Sequence, residues 1–156
     1  MAVNKTQVIA EPEKQEILIT RGFDAPAEFV YRAFSEAEIF EQWMTTKVLQ
    51  FDFKKLGAYQ FQTNDAAGNV AFKASGAFHD VVLNEKIVRT FEMENSPFST
   101  QLEFLEFENV ENGKCKLTMH SIFKSVELRD KLLQQPFAFG LNMAHDRLQI
   151  IINKLT

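Results

Sequence analysis

The fold of this 156-residue chain is decided by the stretch Phe23-Asp-Ala-Pro-Ala-Glu-Phe-Val-Tyr-Arg-Ala-Phe-Ser-Glu-Ala-Glu-Ile-Phe-Glu-Gln-Trp43. This stretch predicts the end of a strand followed by two short helices. Pro26 suits a first helical turn because it lacks the amide hydrogen that would be unpaired there. Ser35, with Glu38 three residues later, has the spacing of a capping box and predicts the start of the second helix.

Both predicted helices have one apolar side. In the first, Glu28 and Arg32 are spaced to pair on the polar face. The apolar residues recur at steps of three and four, as on one side of a helix. They are Phe29, Val30, Ala33 and Phe34 in the first helix, and Ile39, Phe40 and Trp43 in the second.

After Trp43 the apolar period changes to two, which indicates half-buried strands. Gly57 and the segments 64–69, 84–85 and 111–113 provide the turn signals. Between residues 101 and 108 the apolar phase changes, so we expect a bulge there. The apolar faces are Leu49, Phe51 and Phe53; Tyr59 and Phe61; Phe72, Ala74, Gly76 and Phe78; Ile87, Arg89, Phe91 and Met93; and Cys115, Leu117, Met119 and Ser121.

The C-terminal part returns to helical spacing. It predicts a short helix over 126–133 and a long one over 136–155. We therefore expect an α+β helix-grip fold, in which a curved antiparallel sheet wraps around the long C-terminal helix and two short helices follow the first strand. The whole chain, 1–156, forms one domain, with residues 1–13 flexible or at the sheet edge.

Composition excludes several function classes. The net charge of −4 provides no broad positive field, so nucleic acid is not expected as a partner. No segment approaches the ~20 apolar residues of a membrane span, and the segment through Glu16 is too polar for a signal peptide, which favours a cytoplasmic protein without membrane insertion. Cys115 is the only cysteine, so an intrachain disulfide is excluded, and we expect it to be a small buried side chain.

Three stretches resemble the family of activators of heat-shock-chaperone ATPase homologues, the AHSA-like family of the START-like (SRPBCC) superfamily. The stretches are 23–26 with Phe34 and Trp43, then 76–88, and finally 140–148. The resemblance implies a helix-grip domain with an internal pocket, and the family is similar to lipid carriers, polyketide cyclases and antibiotic-sequestering proteins. The sequence departs from the family pattern at Ala37, Met44, Ser121 and Leu141.

An apolar cavity between the sheet and the terminal helix is the expected small-molecule site. Arg89 is a candidate anchor for an anionic group, although it could instead pair with a glutamate inside the protein. Trp43 could line the cavity or belong to the core, and His145 could exchange a proton or bond to a backbone carbonyl. The candidate pocket residues are Trp43, Phe51, Tyr59, Phe61, Phe72, Phe78, Arg89, Phe91, Met119, Leu141 and His145, with Arg89 or Tyr59 as the polar anchor.

Three functions remain open. The first is binding of a small hydrophobic or aromatic molecule, in a stress- or resistance-related role. The second is a module that contacts a chaperone, as the resemblance implies, and the third is a weak cyclase or lyase that uses His145, Arg89 or Tyr59. No catalytic motif is found, and we expect no metal or cofactor and a monomer or homodimer.

Overall fold

The computed structural model describes residues 4–156. One sheet and four helices make up this part of the chain. The elements are β1 (Gln7–Ile9), β2 (Glu16–Phe23), α1 (Ala27–Ser35), α2 (Ala37–Met44), β3 (Lys47–Phe51), β4 (Ala58–Asn64), β5 (Val70–Val82), β6 (Lys86–Met93), β7 (Thr100–Val110), β8 (Lys114–Ile122), α3 (Val126–Leu133) and α4 (Phe137–Leu155).

The eight strands form one open, curved antiparallel sheet in the order β1-β2-β8-β7-β6-β5-β4-β3. Helix α1 contacts β7 and β8, α2 contacts β3, and both contact α4. We call the sheet face that bears these helices the inner face, and the opposite one the outer face. The predicted α+β helix-grip fold is confirmed.

Helix α1 begins at Ala27 with Pro26 as its N-cap, close to the predicted start, whereas the start of α2 differs from the prediction. Ser35 is the last residue of α1 and forms no capping box with Glu38, because Glu36 has an extended backbone and is the N-cap of α2. Arg32 pairs with Glu36 at 2.7 Å, so the expected pair with Glu28 was wrong. The orphan amide at the start of α1 is satisfied from another element, since Asn109 Oδ1 of β7 accepts a hydrogen bond from Ala27 N at 2.8 Å.

The prediction of a bulge in β7 was also wrong. The register of β7 with β6 and with β8 is unbroken, and one phase of the strand faces inward throughout. The apparent change of phase arose because two polar residues, Gln101 and Glu103, occupy buried inner positions. The register shifts instead in β3, between Val48 and Gln50, and at two points of β5, next to Val70 and between Phe78 and Asp80. In β3, Leu49 is 45% exposed rather than part of the apolar face.

Aromatic packing holds α1 and α2 together over the sheet. The Phe34 ring lies 5.0 Å from the Trp43 ring and 5.7 Å from the Phe107 ring of β7, measured between centroids. Trp43 Nε1 donates a hydrogen bond to the backbone oxygen of Ala33 at 2.8 Å, which satisfies the one polar group of this buried side chain. Trp43 is therefore a buried member of the hydrophobic core.

None of the helices within residues 4–156 combines the length and the apolarity that a membrane crossing would require.

Candidate functional site

Six of the candidate pocket residues come together on the inner face. The rings of neighbouring members lie 4.9–6.3 Å apart between centroids, as in the Tyr59–Phe78 and Phe61–Phe91 pairs. Antiparallel pairing of β3, β4 and β5 places their inward phases side by side. We call this group the inner aromatic wall, and it consists of Phe51, Tyr59, Phe61, Phe72, Phe78 and Phe91.

One end of the wall is more open than the rest. Tyr59, Phe61 and Phe78 are each 1% exposed, whereas Phe51, Phe72 and Phe91 are only half-buried. Of these three, Phe72 and Phe91 contact Phe61, at 5.9 Å and 6.3 Å between centroids. The wall therefore has a closed part and an accessible edge formed by two phenylalanines.

The position of Tyr59 depends on a glycine in the next strand. A Cβ atom on Gly76 would lie 2.8 Å from the Tyr59 ring and 2.0 Å from the backbone oxygen of Thr90, which is too close for any side chain. The hydroxyl of Tyr59 donates to that same oxygen at 2.6 Å. Burial raises the pKa of this phenol above its usual range, so it remains neutral and acts as a hydrogen-bond donor.

Arg89 is the polar group beside the wall, and it is paired inside the protein. Its Nε donates to Glu103 Oε1 at 2.8 Å, and Gln101 Nε2 donates to Glu103 Oε2 at 2.7 Å. The guanidinium carbon lies 5.5 Å from the ring centroid of Tyr59 and 5.7 Å from that of Phe34. Arg89 and Glu103 are 7% and 5% exposed, so this is a buried, charge-balanced pair.

The pair leaves part of the guanidinium unused. Within residues 4–156, Nε is the one nitrogen of the Arg89 side chain that has a hydrogen-bond partner. Buried polar groups normally have partners, and a guanidinium carries five N–H donors. The terminal N–H groups of Arg89 are not among the fully buried atoms without a partner, so they reach solvent and can donate to an acceptor beside the aromatic rings.

His145 lies in a second polar group, which joins the N-terminal segment to α4. Its Nδ1 is 2.6 Å from Thr6 Oγ1, and its Nε2 is buried without a partner among the described residues. Burial, and then the nearby charge of Arg21, lower the pKa of His145 to about 3. The imidazole is therefore neutral at pH 7 and is poorly suited to donate a proton there.

Arg21 is the centre of this second group, which the sequence analysis did not identify. Its Nη2 is 3.0 Å from Asp146 Oδ1, and its Nη1 donates to Asn142 Oδ1 at 3.2 Å and to Thr6 Oγ1 at 3.3 Å. A signal was present, because Arg21 shares the inward phase of β2 with Ile17, Ile19 and Phe23, just as Arg89 does in β6. Two of the partners, Asn142 and Asp146, lie more than a hundred residues away along the chain, and no comparable pattern marks them.

The remaining candidates lie apart from the wall. Met119 is buried on β8, three strands from β5 in the sheet, where it pairs with Ile19 and Leu105. Leu141 is half-buried in α4. Cys115 is buried, and burial raises the pKa of its thiol to about 12, which agrees with the expected apolar role.

Two depressions on the surface of residues 4–156 lie elsewhere. One, of about 400 Å³, is at the β2–β8 end near the N-terminal segment, and the other, of about 70 Å³, is near β1 and the start of β2. None of the candidate pocket residues lines either of them. In the same part of the chain, no group of three or more His, Cys, Asp or Glu side chains is arranged to hold a metal ion.

Solved structures share this fold. A crystal structure of a Rhodobacter sphaeroides protein superimposes with a TM-score of 0.86 at 16% identity, covering 97% of this chain and 99% of that one. A solution structure of a Staphylococcus epidermidis protein gives 0.78 at 23% identity, with 94% of each chain covered. CalU16 from Micromonospora echinospora gives 0.66 at 19% identity, with 96% and 85% covered. At these identities the likeness shows the fold.

The family comparison covers most of the chain. No protein of curated function matches the sequence. The model of the family described as "Activator of Hsp90 ATPase homolog 1-like protein" matches residues 24–153, from the start of α1 to the last turns of α4. The match and the shared fold support a ligand-binding or chaperone-ATPase-activator-like module. This chain therefore belongs to the family of activator of Hsp90 ATPase homolog 1-like proteins.

Proposed function

We propose that this protein binds a small, uncharged aromatic or apolar molecule at the inner aromatic wall, with Arg89 as its polar anchor. The observation that carries the proposal is the guanidinium of Arg89 between aromatic rings, whose terminal N–H groups form no hydrogen bond within residues 4–156 and keep some contact with solvent. A ligand that contains a ring and a hydrogen-bond acceptor can pack against the aromatic side chains and accept a hydrogen bond from the guanidinium. Aromatic and apolar walls with a few placed polar groups are typical of small-molecule sites.

The ligand enters at the accessible edge of the wall. Because Tyr59, Phe61 and Phe78 pack against one another, the bound molecule takes the place of the half-buried rings of Phe72 and Phe91. Rotation of these two side chains opens space beside Phe61 without breaking a strand. The half-buried state of both rings supports this route.

The ligand is neutral because Glu103 already balances the charge of Arg89. The two groups are joined at 2.8 Å, and a second anion beside them would be repelled by the carboxylate. A carbonyl, amide or phenol oxygen can accept from the free N–H groups without that repulsion. The neutral acceptor differs from the anionic group for which Arg89 was one candidate anchor, and it agrees with the alternative that Arg89 pairs with a glutamate inside the protein.

Calorimetry and native mass spectrometry with a panel of hydrophobic metabolites test the binding. A second comparison tests whether the site prefers a neutral or an anionic ligand. It uses naphthalene-2-carboxamide and naphthalene-2-carboxylate, which have the same ring system. The wild type should bind the amide in preference, and Arg89→Met should weaken amide binding about tenfold, as expected for the loss of a charged hydrogen bond. Glu103→Gln should shift the preference toward the carboxylate.

Arg32→Met is the matched control, because Arg32 is an arginine on the exposed face of α1. It should bind both compounds as the wild type does. The proposal fails if no compound of the panel binds to the wild type by either method. It also fails if Arg89→Met binds the amide as tightly as the wild type does.

A chaperone-directed function is the second candidate, and the description of the matched family favours it. A pull-down with the purified chaperone and an ATPase assay test this candidate directly. Association together with stimulated ATP hydrolysis would support it. Absence of both would leave ligand binding as the function.

A further inference from the structure

The larger of the two depressions described above lies at the β2–β8 end of the sheet, on the outer face, whereas the inner aromatic wall lies on the inner face of β3 to β6. It has a volume of about 400 Å³. Thr20, Gly22 and Lys116 alternate along β2 and β8 with buried inward residues, so their side-chain positions face outward. We call this depression the outer groove, and the residues that define it are Lys5, Gln7, Thr20, Gly22, Lys114 and Lys116.

A glycine shapes the floor of the outer groove. Gly22 lies opposite Lys116 in the β2–β8 pairing, and a Cβ atom on it would be 2.9 Å from Asn4 Oδ1. The missing side chain lets the amide of Asn4 lie close to the strand. The resulting volume is within the range of about 300–1,000 Å³ that small-molecule sites occupy.

The N-terminal segment borders the outer groove, and contacts with α4 on the inner face hold this segment in place. Thr6 N donates to Asn142 Oδ1 at 3.0 Å, and Thr6 Oγ1 is 2.6 Å from His145 Nδ1. Both partners belong to α4, and Thr6 follows Lys5 directly. Two contacts to the long helix thus fix the backbone that carries Lys5 over the groove.

The charge of the outer groove is opposite to that of the chain. Lys5, Lys114 and Lys116 line it, no aspartate or glutamate does, and the net charge of the protein is −4. Lys114 has one carboxylate neighbour, Asp24 at 3.5 Å. Among residues 4–156, Lys5 and Lys116 form no ion pair within 4.0 Å, although Glu108 is the cross-strand neighbour of Lys116. A concave surface lined by one sign of charge concentrates the opposite ion.

We propose that the outer groove is a second binding site, for a small organic anion that carries a phosphate or carboxylate group. The ammonium groups of Lys5 and Lys116 bind the anionic oxygens. The amides of Asn4 and Gln7 and the hydroxyl of Thr20 donate additional hydrogen bonds. This site is separate from the inner aromatic wall and does not depend on the function proposed for it.

Amide chemical-shift mapping on the wild type tests the location of the site. Phenyl phosphate and benzoate are added at low ionic strength, and phenol is the neutral analogue. The anions should shift the amide signals of Thr20, Gly22 and Lys116, and 0.5 M salt should reduce their affinity because screening weakens exposed charge interactions. Phenol should not shift these signals. If the anions leave them unchanged at millimolar concentration, or shift residues elsewhere, the proposal is overturned.

A pair of double variants tests the charges. Lys5→Gln/Lys116→Gln should bind phenyl phosphate at least tenfold more weakly than the wild type. Lys47→Gln/Lys54→Gln makes the same change in net charge at exposed lysines outside the groove, and it should bind within twofold of the wild type. Equal losses in the two variants would mean that only net charge matters and would refute a defined site. A stronger effect with phenyl phosphate than with benzoate would assign the phosphate class, and the reverse would assign the carboxylate class.

Discussion

Lowering the pH from 7 to 5 should destabilise this protein through His145. The side chain is 0% exposed, and its pKa in the folded protein is about 3, against 6.5 for the free side chain. Between these two values the unfolded chain binds a proton that the folded chain rejects. Stability therefore falls as the pH drops below about 6.5, and it is recovered above that value.

The magnitude follows from the difference between the two pKa values. Each unit of pH below 6.5 removes about 1.4 kcal/mol from the free energy of unfolding, so the loss at pH 5 is about 2 kcal/mol. Arg21 contributes to this loss because its charge opposes a second cation nearby, whereas Asp146 acts in the other direction. The group as a whole disfavours the charged imidazole.

Urea denaturation of the wild type and of His145→Leu at pH 7 and pH 5 measures the effect. The variant can be less stable than the wild type at both values, and the quantity to compare is the change between the two pH values within each protein. This change should be about 2 kcal/mol smaller in His145→Leu than in the wild type. His79→Gln, which removes an exposed histidine, should show the wild-type change. Equal changes in the wild type and in His145→Leu would refute the reasoning.

Three further substitutions or reactions test the packing. Glu103→Leu should lower the free energy of unfolding by about 3–5 kcal/mol because it leaves Arg89 buried without its carboxylate. The double variant Arg89→Met/Glu103→Leu should restore much of this loss. Chemical denaturation measures both variants. Gly76→Ala should lower the thermal midpoint by several degrees, since its Cβ would lie 2.0 Å from the oxygen of Thr90; an unchanged midpoint would contradict that contact. The thiol of Cys115, buried and with a pKa of about 12, should react with a disulfide reagent at pH 8 only after unfolding in urea, and rapid reaction of the native protein would contradict this.

The strands and helices could be predicted from the sequence where the apolar residues keep one spacing along the whole element. The long helix over 136–155 and the short one over 126–133 agree with α4 and α3, because their apolar residues recur at helical spacing. The prediction failed in β7, where Gln101 and Glu103 occupy buried positions. A strand with polar residues on its inner face has the same pattern as a strand that changes phase.

The site could be predicted only in part, for a related reason. The inner aromatic wall follows from alternation, since antiparallel neighbours place their inward phases together. The partner of Arg89 could have been found by asking which inner position of the next strand carries a carboxylate, which is Glu103. The contacts of Thr6 with Asn142 and His145 depend on how α4 crosses the sheet, and no local pattern encodes them.

The bulge in β3 has a consequence for solubility. An open sheet ends in two strands with unpaired backbone groups, and such edges can recruit a strand from another molecule. Here one edge is β1, with only three residues, and the other is β3, whose ladder is interrupted between Val48 and Gln50. A short edge and an interrupted one give an incoming strand little regular backbone to pair with. The irregular position of Leu49 thus disfavours growth of the sheet into a fibre.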